Sequence, residues 1–378
     1  MTTGDMLPTT GDRTEQLPEW RSDEGTNHTP DPSPDDDHHH YLVPDQDLDH
    51  APDQDLDPEW RTGRWASGGA RRWVGRRGGG WIATAGALYA AALLAHPLVP
   101  NGARNSGSLI ETFLPWSALA IPPLFLLALY RRSLLAVAAA LLPALVWLAL
   151  FGGSLTDKRS GGGELIVVSH NVGADNPDPG GTARELADTG AQVIAVQELA
   201  ATAKDAFHRA LPPRYRHHTV QGGVGLWSTY PMSAPEPVNI MPWPRALRAT
   251  LTTPKGEVTV YVAHLASVRV TAESGFTTDR RDAAARLLTE VVGRDSSAKT
   301  LVVGDFNGTT DDPGLDPLLR GMTSAQEVAG EGFGFSWPAP FPLARIDHIL
   351  ARGIQPVSAR TLPATGSDHL PVTASFRL

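Results

Sequence analysis

The 378-residue chain is long enough for one or two domains with a substantial core. It contains no cysteine, which excludes disulfides, thiolate-bound zinc and thiol catalysis. The net charge of −9 hides three unlike regions: residues 1–60 carry −15, residues 61–160 carry +9 and residues 161–378 carry −3. This asymmetry predicts an acidic tail, a membrane region with basic flanks and a nearly neutral soluble domain.

Residues 1–60 are rich in Asp, Pro, Thr and His and contain few aliphatic side chains. Such a segment cannot bury enough apolar surface to fold, so we expect a disordered acidic tail. A Pro-Glu-Trp-Arg tetrapeptide occurs twice, beginning at Pro18 and at Pro58. It could be a docking motif for a cytoplasmic partner of unknown identity, but we favour low-complexity duplication.

Residues 61–80 form a basic juxtamembrane segment, and three apolar stretches follow at about 81–99, 109–130 and 134–151. Each stretch is close to the roughly 20 residues that a helix needs to cross a bilayer. We therefore predict three transmembrane helices over 81–151. A cleaved signal peptide fits poorly because the first stretch begins so far from the N-terminus. A helical hairpin buried in a soluble protein fits poorly because the stretches carry almost no charge.

The positive-inside rule predicts an orientation for these helices. Basic residues cluster before the first span and at Arg131-Arg132, whereas the loop between the first two spans holds only Arg104. Three crossings then place everything after residue 152 outside the cytoplasm. Residues 152–163, rich in Gly and Ser, are predicted to be a flexible linker. We expect a multi-pass cell-membrane protein with a cytoplasmic N-terminus and an extracellular C-terminal domain.

Residues 164–378 contain short apolar runs rich in β-branched residues, separated by loops and a few helices. This pattern indicates an α+β sandwich of packed sheets with peripheral helices. Carboxylates, an amide and imidazoles at successive strand ends suit metal-assisted attack of water on a phosphate ester. The polar residues at the predicted strand ends are Asn171, Glu198, His264, Asp305, Asn307, Asp368 and His369.

Seven short motifs cover nearly all of residues 164–378, and their occurrence in one order makes chance implausible. They begin at His170, Val196, Leu226, Ala263, Gly304, Arg345 and Ser367. The series resembles the endonuclease/exonuclease/phosphatase family, which includes DNase I, abasic-site endonucleases, inositol-polyphosphate phosphatases and neutral sphingomyelinases. The resemblance implies an α+β fold, a four-layer α/β-sandwich of the DNase I-like type.

The three apolar spans and the string from Ser169 to Asn176 also resemble a narrower group, the VanJ subgroup. Its members are actinobacterial membrane proteins linked to glycopeptide (teicoplanin-type) resistance and proposed to act on undecaprenyl pyrophosphate. The resemblance therefore implies a lipid substrate and a contribution to antibiotic resistance.

The family resemblance implies a divalent cation, Mg²⁺ or Mn²⁺, with Glu198 as its main ligand. Hard cations of this kind prefer carboxylate oxygen. Asn171 would bind the cation or a phosphate oxygen, and Asp368 would support the metal shell or a second metal. The alternatives are a surface ion pair for Glu198, a turn-closing amide for Asn171 and a capping role for Asp368.

The same resemblance implies catalytic roles. His369 would be the general base or proton shuttle, because the pKa of imidazole lies near working pH. Asp347 would accept the other ring proton of His369, and Asp305 would orient or deprotonate the attacking water. Asn307 and His264 would donate to phosphate oxygens as charge builds up on them, although a core role is the alternative for His264.

Four further residues are candidates for substrate binding. Arg245, Arg248 and Arg269 lie near the active loops in the sequence and could bind a second phosphate. Trp337 could line the substrate cleft, where its aromatic face would pack on a lipid or sugar. Surface ion pairs for the arginines and a core position for Trp337 are equally good interpretations.

Anchoring in a membrane with the site outside favours a substrate presented at the bilayer. We therefore expect a Mg-dependent hydrolase of a lipid phosphate or pyrophosphate, such as undecaprenyl pyrophosphate. An extracellular nuclease, a sphingomyelinase-like phosphodiesterase and a catalytically dead envelope sensor are the alternatives. A nuclease needs a basic patch, whereas residues 161–378 carry −3 and lack Lys-rich stretches, so no specific nucleic acid is expected.

Overall fold

The computed structural model describes residues 78–102, 104–271 and 275–378. The predicted acidic tail of residues 1–60 and nearly all of the basic segment 61–80 lie outside the described residues. The described part begins with the apolar region and continues into two β-sheets covered by helices.

The apolar region contains four α-helices: α1 (Gly80–Leu94), α2 (Ser106–Phe113), α3 (Ile121–Tyr130) and α4 (Leu134–Phe151). A 3₁₀ helix, Leu114–Ala120, connects α2 to α3. The helical stretches Ser106–Tyr130, of 25 residues, and Leu134–Leu155, of 22 residues, are long and apolar enough to cross a bilayer.

The prediction of three spans over 81–151 is wrong for the first one. Helix α1 is apolar but has 15 residues, fewer than a bilayer crossing needs. The apolar stretch continues to Val99 in the sequence, but the α-helix ends early, where Pro97 has no backbone N–H to donate to the preceding turn. Residues His96–Leu98 form a 3₁₀ turn instead.

Helices α1 and α4 pack closely through small residues. Gly86 lies so near the backbone of Ala139 that a side chain at this position would meet the Ala139 carbonyl. At the start of α1, Gly78 approaches Arg131 and Gly79 approaches Ser133. The first turn of α1 therefore lies beside the basic turn that separates α3 from α4.

Two six-stranded sheets form the C-terminal domain. The first sheet has the order β13 (Gln355–Thr361), β14 (Val372–Arg377), β1 (Leu165–Asn171), β2 (Val193–Gln197), β4 (Val224–Ser228), β3 (His217–Gln221). The second has the order β11 (Thr323–Ser324), β12 (Asp347–Arg352), β10 (Thr300–Asp305), β7 (Gly256–His264), β6 (Ala246–Thr253), β5 (Met232–Val238). A short ribbon pairs β8 (Val270–Thr271) with β9 (Gly275–Phe276).

The sheets pack face to face around an aliphatic core to which both contribute, for example Val167 from β1 and Val303 from β10. Helices α5 (Pro179–Asp188) and α6 (Lys204–Ala210) cover the outer face of the first sheet. Helix α7 (Asp279–Arg294) covers the outer face of the second. The short helices α8 (Asp316–Leu319) and α9 (Ala325–Ala329) complete the domain. The predicted four-layer α+β sandwich is confirmed.

Each sheet has one parallel pair at its centre. Strand β1 runs parallel to β2, with Asn171 opposite Gln197, and β10 runs parallel to β7, with Asp305 opposite His264. The carboxyl ends of parallel strands meet at one edge of a sheet, which is where α/β proteins commonly bind ligands. The polar residues predicted at strand ends are therefore collected at the edges of the two sheets.

Glycine is required at position 304 for this arrangement. Gly304 has φ of +143°, and a Cβ there would collide with the carbonyl oxygen of Ala263 in the neighbouring strand. The glycine thus lets β10 approach β7 one residue before Asp305. This close approach fixes where the Asp305 carboxylate lies.

A buried ionic cluster joins the apolar helices to the domain. The guanidinium of Arg281, in α7, is fully buried and donates to both carboxylate oxygens of Asp312, at 2.5 and 2.9 Å. The hydroxyl of Ser108, in α2, donates to Asp312 Oδ1 at 2.8 Å. Helix α2 is thereby attached to the loop that follows β10.

We predict that Asp312→Ala destabilises the protein by about 1–3 kcal/mol, because two hydrogen bonds of the buried Arg281 guanidinium lose their acceptor and Asp282 remains as its carboxylate partner. The shift of the thermal or denaturant unfolding midpoint measures the effect. Arg294→Ala is the control, since the Arg294–Glu290 pair is exposed and should contribute little. Equal, small losses in both variants would contradict the prediction.

Candidate active site

The site begins with a hydrogen bond between the two sheets. The side-chain amide of Asn171, at the end of β1, donates to Asp305 Oδ2 at 3.0 Å. The amide oxygen of Asn171 accepts from the backbone N–H of Gly173 at 3.1 Å. Asn171 thus holds the Asp305 carboxylate in this structure. An amide oxygen has two lone pairs, so the bond from Gly173 does not exclude a cation, and the role of Asn171 as a ligand of the metal or of a phosphate oxygen stays a prediction.

Asp305 is almost fully buried and is surrounded by donors and acids. The backbone N–H of Asn307 donates to its Oδ1 at 2.9 Å, and the Asn307 amide donates to its Oδ2 at 3.1 Å. Burial, followed by the nearby charge of Asp347, raises the pKa of Asp305 to about 7. Asn307 has φ of +49°, a strained conformation for a residue with a side chain, which is typical of functional sites.

His369 and Asp347 form a hydrogen-bonded pair beside Asp305. His369 Nδ1 lies 2.8 Å from Asp347 Oδ2, as the sequence predicted, and His369 Nε2 lies 3.9 Å from Asp305 Oδ2. Burial by itself lowers the pKa of His369, but the charge and hydrogen bond of Asp347, together with Asp305, outweigh it and raise the pKa to about 10. His369 therefore carries a proton at neutral pH in the metal-free protein.

Two serines support this pair, and the sequence analysis assigned a role to neither. The hydroxyl of Ser367 donates to the carbonyl of Asn171 at 2.7 Å and accepts from the backbone N–H of His369 at 3.1 Å. Buried Ser336 accepts from the backbone N–H groups of Ile346 and Asp347, at 3.3 and 3.2 Å. Ser367 stands within a quoted motif and could have been singled out, whereas no local signal marks Ser336.

His264 lies between two carboxylates on the other side of Asp305. Its Nε2 is 3.3 Å from Glu198 Oε1 and 3.6 Å from Asp305 Oδ2. The guanidinium of Arg245 is 2.7 Å from the same nitrogen. Burial, and then the charge of Arg245, lower the pKa of His264 well below its usual value, so the ring is neutral. Glu198 itself has φ of +56°, a second strained position at the site.

The donor set fits a hard divalent cation. Asp305, Asp347 and His369 each offer a ligand atom within 4.8 Å of the others. Asp347 Oδ1 is buried and has no hydrogen-bond partner among the described residues. Burial, and then the charge of Asp347, raise the pKa of Asp305, and a cation bound here would favour its ionised form. Glu198, the predicted main ligand, is outside this group of three but faces Asp305 across His264.

The acids and His369 open into a cavity of about 350 Å³, within the range of small-molecule sites. Glu198, Asp305, Asn307, Asp368 and His369 all line it. Trp337 lines it as well, and its indole N–H donates to Asp368 Oδ2 at 3.3 Å. The structure thus places the predicted cleft residue Trp337 beside the predicted metal-shell residue Asp368.

The three predicted phosphate-binding arginines are in different places. Arg245 is at the site, against His264. Arg248 instead bonds Asp295 Oδ2 at 2.8 Å and the hydroxyl of Tyr261 at 3.2 Å, which corrects its assignment to the substrate. The backbone of β6 directs Arg248 to the outer face of the sheet, where this acid neutralises it. Arg269 is exposed on the loop between two cavity-lining residues, and its role remains a prediction.

We predict that His369 stabilises the metal-free fold most at low pH. Its folded pKa of about 10 exceeds the usual value of 6.5, so the contribution is complete below pH 6.5 and is lost as pH rises towards 10. With EDTA present, the gap in unfolding temperature between wild type and His369→Asn should be largest near pH 6 and shrink by pH 10. In an Asp347→Asn background, this difference in unfolding temperature should depend much less on pH. A difference that stays constant with pH in the wild-type background would contradict the pairing of His369 with Asp347.

Solved structures that resemble the chain share little sequence with it. A mannosyl-6-phosphatase from Bacteroides thetaiotaomicron has 15% identity and a TM-score of 0.48, covering 57% of this chain and 100% of that one. Sphingomyelinase C from Streptomyces griseocarneus has 19% identity and a TM-score of 0.44, covering 56% and 98%. D. rerio TDP2, in complex with a single-strand DNA product, has 17% identity and a TM-score of 0.48, covering 57% and 99%.

No curated protein matches the chain in sequence. A family model does: the one described as Endonuclease/Exonuclease/phosphatase family matches residues 168–369, which is more than half of the chain. The match begins in β1, before Asn171, and ends at His369, so it spans the strand-end residues described above. This chain belongs to the endonuclease/exonuclease/phosphatase family.

Proposed function

We propose that this protein is a membrane-anchored, divalent-metal-dependent phosphoesterase that hydrolyses a lipid phosphate or pyrophosphate. The convergence of Asp305, His369 and Glu198 on one cavity of about 350 Å³ carries the proposal. Acids that share a buried site with a cationic histidine suit a reaction in which a proton moves while charge builds up on phosphate oxygens.

The chain's own residues have distinct parts in this chemistry. Glu198 and Asp305 would hold Mg²⁺ or Mn²⁺, which when bound polarises a phosphoryl oxygen and offsets its charge. Asp347 fixes the ring of His369 through Nδ1 and leaves Nε2 facing Asp305, where it can give or take a proton. Neutral His264 and cationic Arg245 lie on the other side of Asp305, where they can donate to phosphate oxygens.

The charge of the cavity favours a lipid over a nucleic acid. Three acids, Glu198, Asp305 and Asp368, line it, while no Lys or Arg does so among the described residues. A groove that follows a nucleic-acid backbone needs several cations to neutralise phosphates. A lipid headgroup presents one or two phosphates, whose negative charge a bound cation and Arg245 could neutralise.

The basic residues support an extracellular location for the domain. Arg131-Arg132 lie between the two candidate spans, at the end of the helices beside the start of α1. The other ends of the spans meet the domain: Ser108 bonds Asp312, and Phe151 packs against Phe333 with ring centroids 6.1 Å apart. If the basic turn is cytoplasmic, the domain is outside.

The narrower proposal concerns the substrate and the physiological role. The resemblance of residues 169–176 to the VanJ subgroup is the ground for undecaprenyl pyrophosphate as substrate and for a contribution to glycopeptide resistance. Deletion and restoration of the coding sequence, with the teicoplanin inhibitory concentration as readout, tests the resistance role.

We predict that Glu198→Gln and His369→Gln each lower kcat/KM for phosphate release by about 10²–10⁴-fold, because they remove a charge or a proton carrier from the reacting centre. Glu257→Gln, an exposed carboxylate on β7, is the control and should retain wild-type activity. Steady-state phosphate release in Mg²⁺ measures the effect, with circular dichroism to verify folding. Full activity in both site variants would contradict the roles proposed for Glu198 and His369. Absence of phosphate release from the wild type itself would favour the catalytically dead sensor.

The choice between lipid and nucleic acid has its own experiment. We expect phosphate release from undecaprenyl or farnesyl pyrophosphate to exceed strand cleavage of plasmid DNA by at least an order of magnitude in kcat/KM. Both reactions should stop with EDTA and resume with Mg²⁺ or Mn²⁺. Faster cleavage of DNA would establish the nuclease alternative, and cleavage of sphingomyelin alone would establish the phosphodiesterase alternative.

A further inference from the structure

One wall of the active-site cavity does not come from the catalytic domain. Thr112 and Phe113, the last two residues of α2, line the same cavity as Asp305 and His369. Helix α2 begins the candidate span Ser106–Tyr130. A helix of the apolar region therefore forms part of the site in which the phosphate chemistry takes place.

Helix α2 is held against the domain by specific hydrogen bonds. The side-chain amide of Asn105 donates to the carbonyl of Phe276 at 2.7 Å. The backbone N–H of Phe276 in turn donates to the backbone carbonyl of Arg104 at 3.1 Å. After the helix, the indole of Trp116 donates to the carbonyl of Leu343 at 2.7 Å. With the Ser108–Asp312 bond, these contacts fix the position of Phe113 relative to the catalytic residues.

The lining of the cavity combines charged and apolar side chains. Three acids and His369 line it, and so do Phe113, Val268, Phe276 and Ile346. Phe113 is 38% exposed although it is fixed in place, so its ring is available to a ligand. A small, fully hydrated phosphate compound would leave this apolar surface unused.

We propose that Phe113 and Phe276 bind the hydrocarbon chain of an amphiphilic phosphate ester, directly next to its phosphate. The proposal rests on the proposed function in that the phosphate is placed among the acids that line the cavity. Helix α2 then determines specificity, because Phe113 is its last residue and lines the cavity. The rest of the hydrocarbon chain would extend from the cavity into the bilayer.

The physical consequence is a dependence of affinity on chain length. Each methylene that leaves water for the apolar side chains of the cavity should tighten binding about fourfold, equivalent to about 0.8 kcal/mol. The dependence should level off once the chain extends beyond Phe113. Loss of the Phe113 ring should reduce the gain per methylene, because the chain then remains partly in water.

The experiment measures the binding of n-alkylphosphonates of two to eight carbons by calorimetry, with Mg²⁺ present and the full chain in lipid nanodiscs. Phosphonates are not hydrolysed, so the result does not depend on turnover. Wild type should show a Kd that falls about fourfold per methylene, and Phe113→Ala and Phe276→Ala should each show a flatter dependence. Phe113→Leu should restore much of the dependence of Kd on chain length. Leu126→Ala, a change on the same span but outside the cavity, is the matched control and should retain the wild-type dependence.

The outcomes separate this inference from the proposed function. A Kd independent of chain length, or an unchanged dependence in Phe113→Ala, would overturn the inference even if the protein hydrolyses lipid pyrophosphates. An equal loss in Leu126→Ala would show partition into the bilayer and would overturn it too. Chain-length-dependent binding without phosphate release would uphold the apolar site and contradict the proposed hydrolysis.

Discussion

The hydrogen bond from Asn171 to Asp305 is the contact on which the site depends, because it joins the carboxyl ends of strands in two different sheets. Asn171 lies at the end of β1 and Asp305 at the end of β10, and each strand has a parallel neighbour. The sandwich core holds the sheets at a fixed separation, so two short polar side chains can meet across it. Gly304 allows the close strand approach that brings Asp305 into range.

Burial of several acids in this small volume gives the site its electrostatic character. Two histidines respond in opposite directions, although both are buried. His369 gains a proton because the charge and hydrogen bond of Asp347 outweigh burial, whereas burial and then the charge of Arg245 keep His264 neutral. Asp305 lies between them with a raised pKa. The site thus has a proton donor on one side of Asp305 and a neutral ring on the other.

The apolar helices are part of this arrangement. Arg281 bonds Asp312, which also accepts from Ser108 of α2, and Arg281 donates to the carbonyl of Asn307 at 3.2 Å. One buried guanidinium therefore contacts both the helical region and a strained residue of the site. Placement of Phe113 at the cavity and of Asn307 beside Asp305 then depends on the same cluster. In a membrane, this would keep the site at a constant distance from the bilayer surface.

The succession of strands along the chain, a sandwich of packed sheets and the polar residues at strand ends follow from the sequence by itself, because alternation, turn residues and short motifs are local. The four-layer arrangement was implied only by the resemblance to a known family. Only the tertiary structure shows which residues that are distant in the sequence contact one another. Arg245 and Arg248, three residues apart, reach His264 and Asp295 respectively. Arg281, Ser336 and Phe113 carry no local signal, since their partners are distant in the chain. Even the length of α1 was misjudged from apolar composition, because hydrophobicity continues past Pro97 where the helix cannot.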